Sequence, residues 1–343
     1  MDTIKYKILR NLGLSYVKRI LRVIKGPVFV SIFFTRDCNL DCDYCVTSKN
    51  PKKSDLSITQ WKNIITQLYN QGCRFITIYG GEPTLRQDLG DLIKHCIDLK
   101  IYTHVVTNGT LLNEVLLEKF ASYGYLLLGI SIDSISDTHF SKKKYNKELI
   151  DLLYKIQQKY PLNIDYSFHI IITKYNIKEL IPLIKLISNE LDCRFSLDPV
   201  HSSLNLNEDY KYRSFCPDLT LDKDSVNRLT RVIQNLKRNN IQTFSPNSYY
   251  NKMNKWYQKK YSWECDAGDL YFAIDNDGKV MLCEDVSTNI PFNEFIRLSH
   301  KKRMKLIKEF KFDYCQCFKP CYWNPTYFVK HPISTFLYRF LLK

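Results

Sequence analysis

Thr35-Arg36-Asp37-Cys38-Asn39-Leu40-Asp41-Cys42-Asp43-Tyr44-Cys45 puts three thiols in a Cys-x3-Cys-x2-Cys spacing, directly after the apolar run Val28–Phe34. A loop this short can wrap its thiolates around one inorganic centre. Three ligands differ from the four that close a structural zinc site, because a cubane held by three thiolates keeps one iron open for a small molecule. The aromatic Tyr44, next to the last thiol, is placed to shield one edge of such a centre.

Outward from this loop, apolar strand and amphipathic helix alternate. Helices are expected near Ser57–Tyr69, Leu89–Leu99, Leu112–Ser122, Lys147–Gln158 and Ile177–Ser188. The strands between them are Phe75–Tyr79, Tyr102–Val106, Leu126–Ile132, Ile164–Ile171 and Phe195–Leu197. Six such units predict an α/β fold, a partial (β/α)6 barrel with helices outside, whose ligands gather at the C-terminal ends of the strands.

Each later strand end carries groups suited to a ligand. Strand two ends in Tyr79-Gly80-Gly81-Glu82-Pro83-Thr84, where paired glycines allow close backbone approach and Glu82 can accept from an ammonium. Strand three ends in Thr107-Asn108-Gly109-Thr110 and strand four in Ser131-Ile132-Asp133-Ser134, hydroxyl and amide groups that suit a ribose. Asn176 follows strand five, where an Asn before a helix reads first as an N-cap.

The three-cysteine spacing with its aromatic neighbour, followed in order by the Gly-Gly-Glu-Pro segment and the strand-end motifs over about residues 28 to 180, resembles the radical S-adenosyl-L-methionine (SAM) superfamily. That resemblance implies a 4Fe-4S cluster on Cys38, Cys42 and Cys45 whose open iron chelates SAM. It also implies SAM contacts from Tyr44, Gly80, Gly81, Glu82, Asn108, Ser131 and Asp133. Reductive cleavage would then give a 5′-deoxyadenosyl radical that abstracts hydrogen from a substrate, with a reducing electron donor of flavodoxin or ferredoxin type.

Beyond residue 200 the rhythm breaks into a polar insertion (Asn205–Arg213), a helix near Asp224–Arg238 and a Tyr-, Asn- and Lys-rich stretch. Cys265 and Cys283 flank a hairpin turning at Asp275-Asn276-Asp277-Gly278, and Cys315, Cys317 and Cys321 follow. This tail resembles the SPASM and twitch auxiliary-cluster modules, with a shorter final cysteine run. The resemblance implies one auxiliary 4Fe-4S cluster on Cys265, Cys283 and two of the last three; four thiolates also suit structural zinc. Cys73, Cys96 and Cys193 read as core packing, and Cys216 as a buried bystander.

The organisation expected is a basic amphipathic segment (1–26), the barrel (27–215), a connecting helical region (216–262), an auxiliary iron-sulfur domain (263–325) and an apolar basic tail (326–343). No apolar run is long enough to span a membrane and no secretory signal precedes the barrel, which places the chain in the cytoplasm. Twelve cysteines in such a chain are not a disulfide framework.

The formal charge of +15 calls for an anionic partner. Residues 1–26 hold seven Lys and Arg against Asp2 alone, with apolar residues at helical spacing, so contact with the anionic inner face of a membrane is one expectation and capping of the barrel the other. On that ground a cell-envelope lipid, glycolipid or polysaccharide precursor is the expected substrate, with a peptide or protein side chain as the alternative. A non-catalytic zinc protein that binds nucleic acid is the remaining class, but no RNA-binding module is recognisable.

Overall fold

The computed structural model describes residues 3–45, 47, 54–200, 217–257, 260–261, 263–283, 286–310 and 320–331. Helix α1 (Ile4–Ile20) leads into strand β1 (Phe29–Thr35). The barrel continues through α2 (Ile58–Asn70), β2 (Phe75–Gly80), α3 (Leu89–Asp98), β3 (Tyr102–Thr107), α4 (Glu114–Ser122), β4 (Leu126–Ser131), α5 (Lys147–Lys159), β5 (Ile164–Ile172), α6 (Leu180–Ser188) and β6 (Cys193–Pro199). After it come α7 (Lys223–Arg238), α8 (Asn247–Tyr257), β7 (Tyr271–Ile274), β8 (Lys279–Cys283), β9 (Val286–Pro291), α9 (Phe292–Arg297), α10 (His300–Phe310) and α11 (Pro320–Lys330).

The helices begin where short polar side chains can satisfy the first backbone N–H groups. Ser57 and Gln60 form a reciprocal capping box on α2. Asn113, Asn146 and Asp222 cap α4, α5 and α7. Strand β1 is buried at every position, as a parallel strand covered on both faces must be.

Strands β1 to β6 are parallel neighbours in sequential order, as the alternation predicts. The hairpin turn at Asp275–Gly278 is also as expected. Its first strand, β7, joins β1 in parallel, and β8 and β9 follow antiparallel, so the hairpin extends the barrel's own sheet.

Alternate residues of each strand face the outer helices and the concave side. Val105, Ile130, Phe168 and Ile170 belong to the helix-side core. On the other face, the N-terminal ends of the strands carry an aromatic ladder: Phe29 to Phe75 at 4.9 Å, Phe75 to Tyr102 at 4.9 Å and Tyr102 to Tyr125 at 5.7 Å between ring centres. Ile8 and Leu12 of α1 are buried in this same cluster, each burial being worth about 1.5–3 kcal/mol. Lys5 pairs with Asp165 at 3.0 Å, and the Ser15 hydroxyl donates to the Gly72 carbonyl at 2.7 Å. Helix α1 therefore seals the N-terminal end of the barrel.

Cys73, Cys96 and Cys193 are buried as expected of core residues, and burial pushes the Cys73 thiol up to about 12. The polar insertion and Cys216, Cys315 and Cys317 lie outside the described residues; Cys321 falls within α11, with its side chain outside the description.

One buried ion pair joins the hairpin to the start of the cysteine loop. Arg36 Nη2 lies 2.7 Å from Asp275 Oδ1 and Nε donates to the same oxygen at 2.8 Å, both side chains being almost wholly buried. The Asn276 carbonyl accepts from Leu56 N at 2.9 Å, and Asn276 Nδ2 donates to Asp55 Oδ1 at 2.7 Å, so the turn also holds the far side of that loop. Asp275→Asn removes a buried carboxylate that faces the Arg36 guanidinium and is expected to cost about 3–5 kcal/mol. Urea unfolding of the purified variant reads this directly.

Candidate active site

The cysteine loop has little regular structure, so its neighbours must satisfy its backbone groups. Gly81 N donates to Thr35 O at 2.8 Å and Glu82 N to Asp37 O at 2.7 Å, which sutures the end of β2 to the start of the loop. A Cβ on Gly80 would stand 2.1 Å from the Thr35 carbonyl oxygen, and one on Gly81 2.0 Å from that of Asp37. The glycine pair is thus demanded first by backbone-to-backbone approach within the protein, rather than by a ligand.

Glu82, expected to face an ammonium, is fully buried and already engaged. Its carboxylate accepts from Thr84 N at 3.0 Å, the Thr107 hydroxyl at 2.7 Å and Asn108 N at 2.7 Å, tying the ends of β2 and β3 together. Asn108 extends the tie, its Nδ2 donating to Asn39 Oδ1 of the cysteine loop at 2.9 Å.

Asp133, also fully buried, plays the same part at the ends of β4 and β5. It accepts from the Tyr44 hydroxyl, from Ser141 Oγ at 2.6 Å and from Ile171 N at 2.8 Å. Burial, and then the adjacent Asp133 carboxylate, raise the Tyr44 phenol well above its ordinary range, so it stays a donor. Tyr44 is anchored to the strand ends by this bond.

Asn176 is not the expected N-cap. It donates to the carbonyls of Asp133 at 2.7 Å and Ile171 at 2.8 Å, while α6 begins at Leu180 after Glu179. Among the described residues, the half-buried Ser131 hydroxyl alone of the expected SAM contacts at this strand end makes no hydrogen bond within the protein.

The three thiols gather at the C-terminal mouth of the barrel with donors aimed at sulfur. Leu40 N donates to Cys38 Sγ at 3.4 Å and Lys142 N to Cys42 Sγ at 3.5 Å, with Ser141 Oγ 3.8 Å from the same sulfur. Such N–H to sulfur bonds suit thiolates that carry an iron-sulfur cluster. Among the described residues no group of three or more His, Cys, Asp or Glu closes on a single ion. Three thiols on one loop, two of them with backbone donors on sulfur, are a donor set that would fit an iron-sulfur cluster.

Sequence reasoning missed Lys143. Burial opposes its charge, yet Asp133, Cys42, Cys45 and Cys38 together keep its ammonium above the usual lysine range. Its Nζ sits 5.4 Å from the centre of the Tyr44 ring. Within the run Lys142-Lys143-Lys144 nothing in the sequence marks the middle residue, whereas Lys144 pairs outward with Asp137 at 2.9 Å.

A second unforeseen group lies on the concave face. His104 Nε2 and His169 Nε2 are 3.3 Å apart, Ser167 Oγ lies within 3.4 Å of both, and Asp198 stands 4.0 Å from His169 Nδ1. Gly129 makes room, since a Cβ there would meet both rings within 2.8 Å. His169 is paired with Ser131 across β4 and β5, which brings the imidazoles to the layer beneath the mouth. A histidine at an inward position of an apolar strand was the available signal.

Cys265 and Cys283 belong to one apolar cluster between the hairpin and α1, with Cys265 Sγ 2.9 Å from the Tyr271 hydroxyl.

Two outcomes follow. Gly81→Ala, unable to approach Asp37, is expected to displace the loop and lower the iron retained after anaerobic reconstitution; Gly13→Ala, which meets nothing within 4 Å, is the control that leaves iron content unchanged. The second concerns pH. Burial, and then the charge of Lys143, push His169 down to about 4, and burial, then His169, hold His104 well below its usual range. The unfolded imidazoles titrate near 6.5, so between about pH 6.5 and 4 the unfolded chain binds more protons and stability falls as pH falls. Chemical denaturation across that window should show a loss that His169→Gln reduces by up to about 3 kcal/mol.

Residues 32–187 match the model of the Radical SAM superfamily. The chain is 33% identical over 116 residues to PqqA peptide cyclase of Bradyrhizobium diazoefficiens, covering 32% of this chain and 30% of that protein. It is 37% identical over 111 residues to the S-adenosylmethionine-dependent nucleotide dehydratase of Selenomonas ruminantium, covering 31% and 39%. The matches thus span about a third of these relatives' length. Among solved structures, Streptococcus suis SuiB bound to S-adenosylmethionine superposes with a TM-score of 0.62 at 18% identity, over 83% of this chain and 68% of that one. SuiB bound to precursor peptide SuiA superposes with a TM-score of 0.59 at 19% identity, over 87% and 68%. The thiol loop, the strand-end ties and the parallel strands thus fall largely within the stretch, residues 32–187, that is similar to the Radical SAM superfamily.

Proposed function

We propose that this protein is a radical SAM enzyme that modifies a peptide or protein side chain. The observation that carries the chemistry is the set of Cys38, Cys42 and Cys45 at the barrel mouth, with backbone donors on two of the sulfurs and Lys143 beside them. When bound, the 4Fe-4S cluster and SAM supply a 5′-deoxyadenosyl radical able to abstract hydrogen from substrate.

The chain's own residues have separable parts in this reading. Cys38, Cys42 and Cys45 would hold the cluster. The backbone at Gly80–Glu82, with Asn108 and Ser131, would hold SAM, while Glu82 and Asp133 fix the loops that present those groups. Lys143 would offset the negative charge of a cluster held by thiolates. His169, about one-fifth exposed on the concave face, would meet the part of the substrate that enters the barrel, with the buried His104 behind it. Cys265 and Cys283, with two of Cys315, Cys317 and Cys321, would hold the auxiliary cluster, or zinc in its place.

The preference for a peptide rests on relatives and on geometry. One relative is named for cyclising the PqqA peptide, and SuiB has been solved bound to a precursor peptide. Neither name speaks for the lipid or polysaccharide precursor expected from the basic N-terminal segment. That segment seals the opposite end of the barrel from the thiols, which removes the reason for favouring a lipid.

Anaerobic reconstitution followed by dithionite and SAM should yield 5′-deoxyadenosine by mass spectrometry, with about four irons at the first site. Cys42→Ala should lose both. Lys143→Gln should retain iron but shift the cluster to a more negative reduction potential, read by redox titration followed by electron paramagnetic resonance. For the substrate class, turnover should rise with the peptide-sized fraction of a host lysate and lose that stimulus after proteolysis. Stimulation by a chloroform-methanol extract that survives protease would return the reading to a lipid.

A further inference from the structure

Helix α1 has two faces, and the barrel uses one. At 100° per residue, Ile8, Leu12, Ser15 and Arg19 cluster on one side, where the first three are buried and Arg19 pairs with Asp269 at 2.5 Å. Tyr6, Arg10, Leu14, Val17 and Leu21 fall within about 80° of arc on the opposite side. All five point to solvent, with Tyr6 at 55%, Leu14 and Val17 at 50% and Leu21 at 68% exposure, and Val23 continues the patch at 68%.

The charges around this stripe have one sign. Arg10, Lys18, Arg22 and Lys25 are exposed, and among the described residues none of them pairs with a carboxylate. The fold adds a second basic segment that is distant in sequence. Arg303 of α10 donates to the Lys25 carbonyl at 3.4 Å, and His300 Nδ1 lies 3.8 Å from Asp269, the partner of Arg19. These contacts bring the exposed Lys301, Lys302, Lys305 and Lys308 beside the end of α1, where Lys305 alone has an acidic neighbour, the exposed Glu309 at 3.9 Å.

We propose that the outward face of α1, with the lysines of α10, is a docking surface for an anionic phospholipid leaflet. An isolated apolar stripe of this size exposed on a helix costs solvation, and it gains by sinking to the level of the headgroups when cations flank it. Each cation near the leaflet adds roughly a five-fold gain in partition. The stripe is the outward face of a single helix, a less suitable seat for a partner helix than a groove between elements. Phosphates of a nucleic acid would use the cations but gain nothing from Leu14, Val17 or Leu21. Among the described residues no helix is long and apolar enough to cross a membrane, and docking of this kind needs none. Because α1 closes the N-terminal end of the barrel, the thiol mouth would face away from the leaflet and stay open to a water-borne substrate.

The test is sedimentation of the full reconstituted chain with vesicles. Wild type should pellet with vesicles rich in phosphatidylglycerol, remain in the supernatant with pure phosphatidylcholine, and be released as salt is raised. Leu14→Ser combined with Val17→Ser and Leu21→Ser should lower retention at least about tenfold while leaving 5′-deoxyadenosine formation and the thermal midpoint unchanged. Recovery of wild type in the supernatant under all conditions would overturn the proposal, as would unchanged pelleting of the triple variant. Duplex DNA bound with equal affinity by both forms, without pelleting on vesicles, would assign the charge to nucleic acid instead.

Discussion

Two backbone hydrogen bonds, Gly81 to Thr35 and Glu82 to Asp37, hold the cysteine loop, and they exist only because no side chain stands at positions 80 and 81. A loop with three thiols and little regular structure has few bonds of its own to fix its path. It borrows order from the strand ends around it: the buried carboxylates Glu82 and Asp133 collect donors from the loops after β2, β3 and β4 and from the end of strand β5. A buried charge is tolerable only with such saturation, and the same saturation makes the mouth rigid.

Loops beyond the barrel lean on this frame. The Arg36–Asp275 pair connects the residue two before Cys38 to the hairpin turn, so that any rearrangement of the hairpin is felt where the thiols begin. Lys143 arrives from the loop after β4, which the Asp133–Ser141 contact folds back over the mouth. The arrangement separates labour between ends: thiols and their supports at the C-terminal ends of the strands, an aromatic ladder closed by α1 at the other.

Catalysis and attachment can therefore be independent properties of one chain. Electrostatic surplus in the sequence, spread over two segments almost three hundred residues apart, becomes a single surface only after α10 packs against the end of α1. The thiol mouth and this surface share no residue.

Much of the barrel was legible in the sequence because periodicity is a local signal: apolar runs bounded by polar turns give β1 to β6 and their helices within a few residues. That Cys38, Cys42 and Cys45 share one loop after β1 was legible because spacing is also local, and the order of the strand-end motifs located the mouth. What the sequence could not determine is where each polar group of a motif points. Glu82 reads as a free acceptor and proves to be enclosed; Asn176 reads as a cap and proves to be a tie between strands. Lys143, the His104–His169 contact and the parallel seat of β7 beside β1 were decided by tertiary structure alone. Each depends on distant residues meeting across the sheet, and burial and pairing there follow from three-dimensional neighbours that no local pattern encodes.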